Sequence, residues 1–341
     1  MRLSALGDVC LIVPLVRTLQ KALPQAQLTW VISRPVHALV EGLDGVEFVI
    51  IDKSRPVRQW LEFYARMRAR RFDVLLATQA SWRAHLLYPA IRAPIKIGFA
   101  RQRGRDFHCL FVTRHLPHAR QHLLDSFLSF AAELGVTEPV IEWHLPLGEA
   151  ESQFAAAHLG KALTPWLAVN PGASKPARNW LPERYAAVIN HVAGQWHWST
   201  VLTGGPHPGE RAFAQAVLAH VRQPDSVLNL IGRTTLKQLA AVLGRVRVLL
   251  APDTGPVHIA TAMGTPVVGL YAAVPPEHSA PYFSRHLVVN RYPEAVRQLL
   301  GKDPATVPWG TRVRSPKAMG LIPVEAVLEK LAIVEREPKR G

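Results

Sequence analysis

Short, continuous apolar runs alternate with amphipathic segments along almost the whole chain, and this rhythm restricts the fold more than any other feature. LTWVIS (28–33), FVIID (48–52), DVLLAT (73–78) and KIGFA (96–100) mark strands in the first half. WLAVNPG (166–172), STVLTGG (199–205), SVLNLIG (226–232), VRVLLAPD (246–253) and PVVGLYA (266–272) mark them in the second. Strands that are Val/Ile/Leu-rich without in–out alternation are covered on both faces, as in parallel sheets flanked by helices. The intervening segments supply those helices: 13–23, 182–196, 210–221, 235–246 and 323–334 each place apolar residues at i, i+3 or i+4, and i+7. A chain of 341 residues exceeds what one core comfortably holds, so the expectation is an α/β fold built twice. WHLPLGEAESQFAAAHLGKALTP (143–165) begins extended and turns helical, which suits a connection between lobes. The expected domains are 1–155 and 156–320, followed by a C-terminal helix and basic tail over 321–341.

Composition narrows the function classes. No apolar run approaches the roughly 20 residues of a membrane-spanning helix, and no signal-peptide pattern is present, so the expected compartment is the cytoplasm. Cys10 and Cys109 are far apart and lack metal-ligand spacing; both read as small apolar residues. A net charge of +15, from 40 Lys+Arg against 25 Asp+Glu, predicts attraction to polyanions. The basic residues concentrate in RMRARRFD (66–73) and ARQRGRD (100–106), without the zinc-ligand or aromatic signatures of common nucleic-acid modules. No nucleic-acid partner is expected; these runs read as a solvated face or as a contact for an anionic surface.

In open α/β sheets, ligands bind beyond the carboxyl ends of strands, where loops meet helix N-termini. Four such junctions are polar or glycine-rich: RLSALGD (2–8), NPGASKPARNW (170–180), TGGPHPGE (203–210) and APDTGPVH (251–258). In APDTGPVH, Pro252 ends a strand and Pro256 suits a first helical turn. Asp253 or Thr254 reads as a helix cap, with His258 buried in the helix; alternatively Thr254, Gly255 and His258 face an anion. NPGASKPARNW offers Ser174, Lys175 and Arg178, either as an exposed basic loop or as donors to a diphosphate. Asp8 is an N-cap or a general base. Neither GxxxxGK[ST] nor GxGxxG occurs at these junctions, which disfavours ATP hydrolysis and NAD chemistry.

RLSALGDV, PGASxxxxxWLPERYA and APDTGPVHIATAMGTPVVGLY, taken together and in this order, resemble the lipopolysaccharide heptosyltransferases of glycosyltransferase family nine. The resemblance runs over essentially the whole chain. It implies a GT-B fold, two Rossmann-like domains facing across a cleft, with an N-terminal acceptor domain and a C-terminal nucleotide-sugar domain. NWLPERYA and HLLDSFLSFAAELGV (122–136) look most like the enzymes that add the first heptose to Kdo, including those using phosphorylated Kdo. The implied reaction is an inverting, metal-independent transfer of L-glycero-D-manno-heptose from ADP-heptose to lipid A-linked Kdo, with no cofactor.

By the same resemblance, Asp8 is the general base and Gly7 gives backbone approach. Arg178 and Ser174 serve the departing diphosphate with Thr254, Gly255 and His258. Asp253 orients the turn or meets the sugar, Thr234 faces the nucleotide, and Glu210 is an acidic donor contact. The implied partners are ADP-heptose, Kdo-lipid A or inner-core lipopolysaccharide, and an anionic membrane reached by charge through Arg66, Arg68, Arg70, Arg71, Arg101, Arg103 and Arg105. The implied location is peripheral, at the inner face of the cytoplasmic membrane. Relatives place an apolar strand ahead of RLSxxGD, whereas only Met1 precedes it here, so a shortened first strand is expected, from a start assigned too late. The alternatives are addition of a second or later core heptose, or a nucleotide-sugar-binding module without catalysis.

Overall fold

The computed structural model describes residues 1–52, 56–103, 107–160 and 164–337, and divides into Met1–Pro146 and Leu147–Gly341. The first unit runs α1 (Leu6–Ala22), β1 (Leu28–Ser33), α2 (Arg34–Val40), β2 (Val46–Ile51), α3 (Pro56–Arg68), β3 (Val74–Ala77), α4 (Trp82–His85), β4 (Ile95–Gly98), β5 (Arg114–His115) and α5 (Leu123–Ala132). The second runs α6 (Glu149–Leu159), β6 (Trp166–Val169), α7 (Pro182–Trp196), β7 (Ser199–Leu202), α8 (Pro208–Leu218), β8 (Val227–Asn229), α9 (Leu236–Leu243), β9 (Val248–Pro252), α10 (Gly255–Ala262), β10 (Val267–Tyr271), α11 (Pro276–Ser279), β11 (Val289–Asn290), α12 (Tyr292–Ala295) and α13 (Val324–Arg336). The division falls before the expected 155, because α6 packs against α9 and so belongs with the second unit.

Among the described residues all strand pairs are parallel, as the unalternated apolar runs require. The second unit holds one six-stranded sheet in the order β8-β7-β6-β9-β10-β11. Every residue of β9 and β10 is buried, and Leu167, Val169, Val248 and Leu250 are fully enclosed. Burying each such side chain is worth about 1.5–3 kcal/mol. Trp180 locks α7 to the C-terminal segment, its indole N–H donating to Ile322 O at 3.1 Å. After α10, Gly264 takes φ +76° while Gly264 N donates to Thr261 O and Thr265 N to Ala260 O. This Schellman closure explains why MGTP stops the helix and returns the chain to β10.

The first unit holds two sheets, β1-β2 and β3-β4-β5. Residues 1–3 lie between them. Arg2 N donates to Val31 O and Ser33 N to Leu3 O on one side; on the other, the terminal amine donates to Leu76 O and Thr78 Oγ1 to Met1 O. With residues 1–3 in the middle, the sequence of neighbours is β2-β1-(1–3)-β3-β4-β5, the arrangement the second unit builds around β6. Alongside lies a cavity of about 150 Å3, lined in part by Leu28, Trp30, Val31, Val74, Leu76 and Leu19.

Cys10 is buried in α1, where desolvation pushes its thiol pKa up, whereas Cys109 is exposed rather than packed as an apolar residue. Among the described residues no helix is long and apolar enough to cross a membrane.

Candidate donor site

In the second sheet the strand order reverses between β6 and β9, the point where an open α/β sheet leaves a crevice beyond its carboxyl ends. Two of the four junctions meet here. After Val169 the chain enters Asn170–Lys175 and a short 3-10 turn, Pro176–Arg178; after Pro252 it passes Asp253 and Thr254 into α10. Asn170 N donates to Leu250 O at 3.0 Å, so the two exits leave side by side.

Arg178 and Asp253 join them. One guanidinium nitrogen of Arg178, Nη1, donates to Asp253 Oδ2 at 2.8 Å and to the Asp253 carbonyl at 3.3 Å, with both side chains mostly buried. Ser279 Oγ on α11 donates to Asp253 Oδ1 at 2.9 Å, so both carboxylate oxygens are held. Asp253 is therefore a strut between three loops and does not cap α10. Thr254 stands at the N-cap position, but its side chain makes no capping hydrogen bond. The positive end of α10 faces this turn. His258, one turn along and buried, has its pKa lowered to about 4, first by desolvation and then by the nearby His278. At neutral pH it is an uncharged imidazole.

Glu210 knits the glycine-rich rim. It accepts from Gly205 N at 2.7 Å, and a Cβ on Gly172, Gly204 or Gly205 would come within 3.1, 2.9 or 3.0 Å of its side chain. Those glycines leave the space its carboxylate fills. Ser174 is exposed on the β6 loop. Thr234 is half-buried directly before Thr235, the N-cap of α9, whose hydroxyl accepts from Gln238 N.

In the first unit, Asp8 is the third residue of α1, so it is not the N-cap; Ala5 is. Its Oδ2 accepts from Ala5 N at 3.4 Å and pairs with the Arg2 guanidinium. Arg2 is itself held by Thr78 O at 2.6 Å and lies 5.5 Å over the Phe127 ring; burial lowers its pKa to about 10. Asp8 keeps about a quarter of its side chain exposed, at 23 %. Gly7 is buried beside it.

The sequence model of glycosyltransferase family 9 (heptosyltransferase) matches residues 60–303. The chain belongs to glycosyltransferase family 9. It is a glycosyltransferase, with a GT-B fold of two Rossmann-like domains. The chain is 33% identical, over 97% of its length and 94% of the relative's, to the lipopolysaccharide core heptosyltransferase OpsX of Haemophilus influenzae. Among solved structures it is similar to Escherichia coli ADP-heptose lps heptosyltransferase II (TM-score 0.73, 18% identity, 98% and 97% of the two chains covered). It is also similar to E. coli heptosyltransferase WaaC with ADP (TM-score 0.72, 19% identity, 98% and 100% covered).

In this family 9 enzyme, sequence reasoning missed Ser279 and His278. Both lie on α11 in the segment AAVPPEHSA after β10, whose place at a strand's carboxyl end was the available signal.

Proposed function

We propose that the enzyme transfers L-glycero-D-manno-heptose from ADP-heptose to a Kdo hydroxyl of the lipopolysaccharide inner core, with inversion and without a metal. The observation that carries this reading is the Arg178–Asp253–Ser279 strut beside the uncapped N-terminus of α10. As the anomeric C–O bond breaks, negative charge collects on the ADP diphosphate. Preorganised N–H donors and a fixed guanidinium stabilise it as it forms. Thr254, Gly255 and His258 hold that diphosphate, Arg178 and Ser174 flank it, and Asp253 fixes Arg178 and the turn. Glu210 and Thr234 border the sugar and nucleotide ends. Asp8 takes the proton from the acceptor hydroxyl, and attack opposite the leaving group inverts the anomeric centre.

The lipopolysaccharide-core name of OpsX and the ADP in the WaaC structure support donor and acceptor class. Heptosyltransferase II resembles the chain as well as WaaC does, which keeps addition to a core heptose as the second reading. The acceptor's lipid A places the enzyme at the inner face of the cytoplasmic membrane. The test is a mass-resolved transfer assay with ADP-heptose against Kdo-lipid A, phospho-Kdo-lipid A and a heptosylated core. One heptose added to a Kdo acceptor, at an undiminished rate after EDTA treatment, is expected. Turnover on the heptosylated core alone would transfer the assignment to the second reading, and a rate restored only by added metal would remove the metal-free step.

A further inference from the structure

Five large apolar side chains of the first unit are exposed on three elements that touch one another. Leu61 on α3 is 68% exposed, Trp82 and Leu86 at α4 are 55% and 39%, and Phe107 and Leu110 at the 3-10 turn His108–Phe111 are 78% and 75%. Tyr64 on α3 donates its hydroxyl to Leu86 O at 2.6 Å. His85 on α4 stacks on Phe111, ring centroids 4.8 Å apart, and its Nε2 lies 2.9 Å from His108 Nδ1. The turn is thus held from below by buried groups while Phe107 and Leu110 point outward.

The charge near α4 and the turn is mostly positive, while Glu62 beside Leu61 is exposed and pairs with Arg58. Between residues 81 and 120 the chain carries eight Lys or Arg and one acid, Asp106. Arg83 is exposed and sits 5.6 Å over the Trp82 ring, and Arg101 and Arg114 are exposed near the turn. The basic residues expected from the sequence to make this contact are partly engaged elsewhere. Arg66 and Arg70 pair with Glu47, Arg70 through two hydrogen bonds of 2.7 Å, and Arg103 is half-buried against Ser126 and the Phe99 ring. Arg105 lies outside the described residues; Arg68, Arg71 and Arg101 are exposed.

We infer that Phe107, Leu110, Trp82, Leu86 and Leu61 form an insertion face for an anionic phospholipid bilayer, with the surrounding arginines meeting its headgroups. Exposed apolar side chains on three linked elements, amid an excess of cations, suit an interface that is oily within and negative at its surface, and suit water or an acidic protein less well. The inference deepens the proposed function, because a lipid-anchored acceptor lies in such a surface. It replaces attachment by charge alone with charge plus insertion, so part of the binding resists salt, which screens only the electrostatic share.

The test is flotation of the full chain with vesicles of 3:1 phosphatidylcholine and phosphatidylglycerol, lacking any lipopolysaccharide, at low and high salt. The wild type floats with these vesicles, retains a measurable fraction at high salt, and floats poorly with phosphatidylcholine alone. The double variant Phe107→Ser/Leu110→Ser binds at least about tenfold more weakly, while transfer to a deacylated, water-soluble acceptor and the thermal midpoint stay unchanged. Arg83→Ser/Arg101→Ser weakens binding at low salt only. Equal flotation of wild type and Phe107→Ser/Leu110→Ser, or none by either, overturns the insertion face. So does a wild-type dimer that the double variant dissolves, which would give the patch to a second copy. Failure of the transfer reading would instead appear as no turnover on the water-soluble acceptor with flotation intact.

Discussion

The two units arrange their strands alike and differ at the middle. In the second, β6 fills the central place with four residues, three of them fully buried, bonded to β7 on one side and β9 on the other. In the first, three residues hold that place between β1 and β3, with a cavity of about 150 Å3 alongside. Each centre leads into a charged side chain that the family resemblance implicates: Arg178 after β6, Asp8 after residues 1–3. The second unit secures its charge with a built sheet and a carboxylate strut. The first secures Asp8 through one buried arginine, Arg2, bonded to Thr78 O. The two charges are thus held by different means, Arg178 by a carboxylate strut and Asp8 by a buried guanidinium.

That contrast can be broken in several places. The largest effect belongs to Asp8→Asn, which should lower turnover by about 100- to 10,000-fold; single-turnover rates above that range would take Asp8 out of the base role. Leu167→Ala in β6 should cost about 2–5 kcal/mol in urea unfolding. Asp253→Asn leaves Arg178 without its carboxylate and should weaken ADP binding by about tenfold to a hundredfold, read by calorimetry.

Acid gives a smaller, signed effect. His258 and His108, one in each unit, have folded pKa values of about 4, burial being the main cause in both. The unfolded chain takes up these protons near the ordinary 6.5, so stability is full above that value and is lost as pH falls from about 6.5 towards 4. His258→Gln should flatten part of that slope in urea melts at successive pH values. The smallest change is Val31→Ile at the cavity, expected to add up to about 1 kcal/mol.

Much of this was legible in the sequence. The strands 28–33 and 199–202 begin at the expected residues, and the helix 182–196 matches at both ends, because each couples an unbroken apolar pattern to a clear start such as Pro182. The two-residue strands β5 and β11 carry no pattern to read. Side-chain roles resting on distant partners were hidden: Glu47 captures Arg66 and Arg70 from 19 and 23 residues away, and Ser279 reaches Asp253 across 26. Of the two readings open for Asp8, the cap is excluded because the helix starts at Leu6 after Ala5, which makes Asp8 its third residue.

The division of labour is tested most directly by measuring ADP binding and heptose transfer side by side in wild type, Asp8→Asn and Arg178→Ala. The account predicts that Asp8→Asn binds ADP as the wild type does while losing transfer, and that Arg178→Ala loses both together. Unchanged ADP affinity in Arg178→Ala, or affinity lost in Asp8→Asn, would contradict it.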